Sequence, residues 1–167
     1  MQTSLLPEAG SIPERILSGG QTGVDRAALD AAMGAGVPCG GWCPRGRKAE
    51  DGVIPARYPL TETPTDAYEQ RTRWNVRDSD GTLILTEGVL GGGTALAAEV
   101  ARHLGRPLLV VDLNLRPSRQ EVGEWLRSQR IAVVNIAGPR ESQAPGIHAR
   151  AREFLEKVLD KGARPGP

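Results

Sequence analysis

The chain has 167 residues, 39% hydrophobic and 25% charged, which suits one soluble globular domain that buries a core without metal or disulfide staples. A formal net charge of +1 supplies no broad field for gripping a polyanion. Nucleic acid is therefore disfavoured as a partner, and any attraction for phosphate has to come from locally placed Arg, Lys and backbone amides.

Nowhere do about eighteen apolar residues run together, which speaks against a membrane partner. Met1 to Pro7 lacks the charged start and apolar stretch of a secretory signal, so a cytoplasmic protein is expected. Cys39 and Cys43 have the spacing of neither a zinc pair nor a C-x-x-C redox motif, and His103 and His148 fall on separate helical segments, so no metal site is expected.

Short β-type runs alternate with helical patterns. Arg15 to Ser18 predicts a first strand, followed by a helix over 22–33 with small residues on one face: Val24, Ala27, Ala28, Ala31 and Ala35. A second strand near 39–42 leads into a polar loop over 44–52. A helix over 65–76 precedes a strand over 82–86, and a helix over 95–104 is stopped by Gly105 and Pro107. The continuous run Pro107 to Asp112 predicts a strand buried on both faces. Ser118 and Glu121 stand in capping-box spacing before the next helix; a strand over 131–136 and a helix over 144–161 complete the pattern. Residues 1–13 and 162–167 are expected to be flexible tails around a domain at 14–161.

This alternation predicts an α/β fold: one parallel sheet of about five strands with helices on both faces, and a ligand beyond the carboxyl ends of the strands. Two glycine-rich turns leave such ends: Ser18-Gly19-Gly20-Gln21-Thr22-Gly23 and Gly91-Gly92-Gly93-Thr94. Glycine lets backbone approach a ligand, and a helix N-terminus offers N–H groups and partial positive charge. In the strand order 2-1-3-4-5 the two turns flank one crevice. Neither turn matches G-x-G-x-x-G or the P-loop, so a standard dinucleotide enzyme or NTPase is not expected.

Several side chains near these turns admit two readings. Thr22 and Thr94 either bind an oxyanion or cap a helix. Asp25 either favours the helix dipole or holds a ligand hydroxyl, a heterocycle N–H or a cation, and Arg26 is a contact or a solvated charge. Arg45, Arg47 and Lys48 follow the second strand and are suited to clamping an oxyanion; Arg140 and Ser142 follow the last strand on the same edge, and Glu87 ends the third. No nucleophile–acid set is assembled, so no catalytic residue is named.

Four segments, 16–27, 41–52, 75–82 and 135–142, resemble the molybdenum carrier protein family, and the likeness runs from about residue 14 to 160. That resemblance implies a Rossmann-like fold akin to the Lonely Guy and DNA-processing A proteins. It also implies a homo-oligomer that binds and protects molybdenum cofactor, working with molybdoenzymes or cofactor-synthesis proteins. Such a cargo carries a phosphate and a pterin, matching amide donors, cations and hydrogen-bonding groups around a small anionic ligand.

The enzymatic alternative is a Lonely Guy-type nucleoside monophosphate phosphoribohydrolase, whose motif P-G-G-x-G-T-x-x-E places an acid three residues after its Thr. Here that position is Ala97, and Glu99 lies about 200° further around a helix. A non-catalytic sensor of a nucleotide-derived ligand is the third reading.

Overall fold

Within residues 12–162, which the computed structural model describes, small and apolar side chains set how closely the elements pack. β1 (Arg15–Leu17) buries Ile16 and Leu17 and passes through the first glycine turn into α1 (Val24–Ala35). Ala27, Ala28, Ala31 and Ala32 of α1 are all buried, so the helix lies close to its neighbours. It ends at Gly36, whose left-handed conformation (φ 71°) lets its N–H return to the Met33 carbonyl.

The next stretch holds β2 (Cys39–Gly40), β3 (Trp42–Cys43), β4 (Lys48–Ala49), β5 (Gly52–Val53) and β6 (Thr61–Glu62). The expected polar loop thus folds back as the antiparallel pair β4–β5, while β3 pairs in parallel with β6. Then come α2 (Tyr68–Arg77), β7 (Gly81–Thr86), α3 (Gly92–His103) and β8 (Leu108–Asp112). α4 (Arg119–Ser128) is capped by the Ser118 hydroxyl, which accepts the Gln120 N–H at 3.1 Å; β9 (Val133–Ala137) and α5 (Ile147–Val158) follow. The expected tails fall largely outside the described residues; Ile12 packs against the core and Pro13 is buried.

The main sheet is parallel throughout and has the order β2-β1-β9-β7-β8. This overturns the expected 2-1-3-4-5 order, because the last strand separates the first from the third. Val134, Asn135 and Ile136 of β9 are buried in that central place. β8 is also not the doubly buried strand its run of Leu and Val predicts. It pairs with β7 alone, at the edge, and Val110 is 39% exposed.

Two apolar layers enclose the sheet. On one side Ile16, Leu83, Leu85, Val134 and Ile136 join buried residues of α1, α4 and α5. On the other, Val76 of α2 packs with Ala97, Val100 and Ala101 of α3. A third cluster, Leu29, Cys43, Ala49, Ile54 and Tyr58, fixes the 43–58 stretch onto α1.

Candidate anion-binding site

The loops leaving β1, β7 and β9 meet at the carboxyl edge of the sheet, where α2 closes over them. They enclose a cavity of about 50 Å³. One water needs about 10–15 Å³ on the same measure, so the cavity has room for a group the size of a tetrahedral oxyanion. Gly19, Gln21 and Asp25 line it from the first turn, Gly93 and Thr94 from the second, and Arg140 from the loop after β9. Arg71, Thr72 and Asn75 of α2 supply a wall that reading of the two turns did not anticipate. Asn135 of β9 adds a buried polar group and donates to the Thr82 hydroxyl at 3.4 Å.

Arg71 dominates the electrostatics. It is 7% exposed, donates Nη1 to the Gly19 carbonyl at 2.8 Å and Nε to the Thr72 hydroxyl at 3.3 Å. Among the described residues no carboxylate comes within ion-pairing distance of it. Burial pushes its pKa down, with Asp25 and Tyr68 opposing that shift. A buried cation whose nearby countercharge, Asp25, makes no direct ion pair with it is costly, and an anion placed beside it relieves that cost.

The Tyr68 ring gathers further cations: Lys48 Nζ lies 4.8 Å from its centroid, Arg71 5.1 Å and Arg140 5.4 Å. Gln21 is 5% exposed; its Oε1 accepts from the N–H groups of Thr22 (3.1 Å) and Glu50 (2.9 Å), whereas its buried Nε2 has no partner. A buried donor left without a partner is unusual, and this one belongs to a residue that lines the cavity.

Asp25 is the single carboxylate on the cavity wall. Burial lifts its pKa to about 6, against the lowering effects of Arg71, the Gln21 N–H, Arg26 and Arg140. The two helix N-termini differ accordingly. At α1, the Val24 N–H donates to the Pro139 carbonyl at 3.2 Å, so part of that terminus is occupied by the loop after β9. α3 begins within its glycine turn, at Gly92, has no side-chain cap and presents Gly93 and Thr94 to the cavity.

The remaining candidates lie around the cavity instead of lining it. Ser18 Oγ donates to the Asp25 carbonyl at 2.8 Å and accepts the Gly20 N–H, bracing the turn. Gly20 faces Leu60 and Ile54, and Gly23, at φ 79°, lies against the backbone of Pro139 and Glu141, leaving no room for a Cβ. Thr22 and Ser142 both donate hydroxyls to the Glu50 carboxylate. Burial raises the Glu50 pKa, but these hydrogen bonds from Ser142 and Thr22 bring it below the usual range.

Arg26 forks onto Asp51 at 2.6 and 2.8 Å. Arg47 donates to the carbonyls of Ile54, Pro55, Tyr58 and Leu60, and Arg45 to that of Pro64, so both brace loops. Glu87 pairs with Arg150 at 2.8 Å, while Gly91 and Gly92 sit at the exposed start of α3. Ala97 lines the cavity and Glu99 is exposed.

Tyr68, Arg71, Thr72 and Asn75 of α2 were missed, as were Asn135 and Gln143, and for the α2 residues the sequence carries a signal. They fall at i, i+3, i+4 and i+7, one face of a helix, where a packed helix normally places apolar residues. Among the described residues no cluster of three or more His, Cys, Asp or Glu has metal-holding geometry, and no helix is long and apolar enough to cross a membrane.

Fold and cavity together define a parallel α/β protein with a cation-walled pocket at a glycine-rich sheet edge. Residues 16–159 match the circularly permutated YpsA SLOG family, and the chain belongs to it. It is also similar to the crystal structure of a protein named "putative molybdenum carrier protein" from Syntrophus aciditrophicus SB. The identity is 46%, covering 88% of this chain and 94% of that one, with a TM-score of 0.84. The family resemblance drawn from the four sequence segments is thereby borne out. No curated protein matches the chain.

Proposed function

We propose that the protein is a carrier that binds and shields molybdenum cofactor, holding the cargo's phosphate in the cavity and leaving its pterin at the mouth. The observation that carries this reading is Arg71, a buried guanidinium with no carboxylate in ion-pairing range, facing a cavity of about 50 Å³. That volume accommodates an oxyanion and excludes a fused heterocycle from the same space. Lys48, Arg140 and Tyr68 stand near one another beside Arg71, and the name of the 46% identical Syntrophus protein supports this class of cargo.

Binding without conversion is the second part of the proposal. The position three residues after Thr94 is Ala97, the nearby Glu99 is exposed, and Glu87 lies in an ion pair with Arg150. These features favour the carrier over the phosphoribohydrolase. Delivery to molybdoenzymes or cofactor-synthesis proteins and a homo-oligomeric state, both implied by the family resemblance, belong to the same proposal.

The test is chemical identification of material released from freshly purified protein, by mass spectrometry, oxidised-pterin fluorescence and molybdenum analysis, followed by reloading of the stripped protein. Pterin, phosphate and molybdenum in equal amounts support the proposal. A nucleotide in the cavity, or failure of the stripped protein to retain added cofactor, overturns it.

A further inference from the structure

The cavity wall has an asymmetry that an anion must satisfy. Arg71, Arg140 and the α3 N-terminus all offer donors or positive charge, but the wall also contains the carboxyl of Asp25. Asp25 is 8% exposed and accepts one hydrogen bond, from the Gln21 N–H to Oδ2 at 3.2 Å; its other oxygen takes none among the described residues. In a cavity of about 50 Å³, an oxyanion held by Arg71 also meets this carboxyl.

We infer that Asp25 makes the site select anions by proton count, so that each bound tetrahedral anion shares one proton with the Asp25 carboxyl. Two oxygen acceptors facing each other in a confined space repel unless a proton lies between them. A hydrogen phosphate brings that proton: its P–OH donates to ionised Asp25 and nothing is exchanged with solvent. A fully deprotonated anion, such as sulfate or molybdate, brings none, and Asp25 must take up one proton from the buffer as it binds. This inference rests on the proposal that the cavity is the anion site.

The charged groups acting on Asp25 come from three elements: Arg71 on α2, Arg140 after β9 and Arg26 on α1 itself. With its pKa at about 6, Asp25 is ionised in most free molecules at neutral pH, so the two classes of anion face different requirements there.

Isothermal calorimetry of the wild-type chain with inorganic phosphate and inorganic sulfate, between pH 6 and 8.5 in buffers of different ionisation heat, tests this directly. The expected result is uptake of about one proton per sulfate above neutrality, with affinity falling about tenfold per pH unit. Phosphate, above the pH at which it is mainly the dianion, takes up none and has a flat profile. Asp25→Asn is expected to abolish the sulfate slope and bring the two anions to similar affinity at pH 8.

Equal proton uptake and parallel slopes for the two anions, or a sulfate slope that persists in Asp25→Asn, overturn the inference. Arg71→Ala separates its failure from that of the functional reading. If Arg71→Ala binds both anions as the wild type does, they are not in this cavity and both ideas fall. Parallel slopes with binding that depends on Arg71 remove only the proton rule.

Discussion

Arg71 of α2 donates through Nη1 to the carbonyl of Gly19 at 2.8 Å, joining residues 52 positions apart in the chain. The contact ties the helix that closes the cavity to the glycine turn at its floor. A guanidinium that orients itself on a backbone carbonyl while lacking a carboxylate partner remains available to an incoming anion. Gly19 fits this role because a Cβ there would come 2.8 Å from Arg71 Nη1.

Arg71→Met is therefore expected to separate binding from stability. Loss of the charged fork lowers anion affinity by about 100-fold or more, equivalent to roughly 3 kcal/mol. The lost hydrogen bond to Gly19 and the lost attraction to Asp25 offset the relief of burying a charge, so thermal stability changes by no more than about 1 kcal/mol. Calorimetric titration and a melting curve on the same preparation check both halves.

The raised pKa of Asp25 makes a signed prediction about folding. Its folded value, about 6, exceeds the ordinary aspartate value of 3.8, so ionisation is harder in the folded protein. The stabilisation associated with the protonated carboxyl is complete below the unfolded pKa and is lost as pH rises through about 6. Asp25→Asn is expected to gain on the wild type across that window, by on the order of 3 kcal/mol at pH 8. Urea unfolding of both proteins from pH 4 to 8 measures the difference, and a constant offset contradicts it.

Gly23 lies at φ 79° against the Pro139 carbonyl. Gly23→Ala is expected to destabilise by more than about 1 kcal/mol, since both the left-handed backbone and the contact with the β9–α5 loop oppose a side chain. Ala at Gly93, which has open space around its Cβ position, serves as the comparison in the same unfolding assay.

Glu50 links three segments: its carboxylate accepts from Thr22 and Ser142, and its N–H donates to Gln21. Glu50→Ala is expected to speed hydrogen exchange at the Ser142 amide while costing at most about 1 kcal/mol in global stability, because the carboxylate is exposed. The lowered Glu50 pKa means that this tie is present above the unfolded carboxylate pKa and is lost only as pH falls through the lower folded value.

Much of the fold was legible because its signals are local. The apolar run Leu83–Leu85 specified a buried strand, Gly105 and Pro107 marked the end of a helix, and Ser118 marked the start of one. Strand order was not local information. Val133–Ala137 and Leu108–Asp112 are both apolar runs, yet one is central and the other at the edge, because their places depend on which strands they pair with.

The site divided in the same way. Glycine turns announced Gly19, Gly93 and Thr94 through backbone chemistry, whereas Arg71 was hidden in a segment rich in arginine, among Arg71, Arg73 and Arg77. Its helical phase with Tyr68 and Asn75 distinguishes it from Arg73 and Arg77, which are exposed. Charges such as Arg26 and Arg47 looked equally suited to a ligand but are bonded within the loops they brace.

Whether Arg71 holds the phosphate of a molybdenum cofactor in this cavity is decided by anaerobic loading followed by size-exclusion chromatography. Stripped wild-type protein and Arg71→Met are each mixed with the cofactor, and protein, molybdenum and pterin fluorescence are followed in the eluate. Pterin and molybdenum are expected to travel with the wild type in equal amounts and to separate from Arg71→Met. Equal retention by both proteins, or retention by neither, contradicts this expectation.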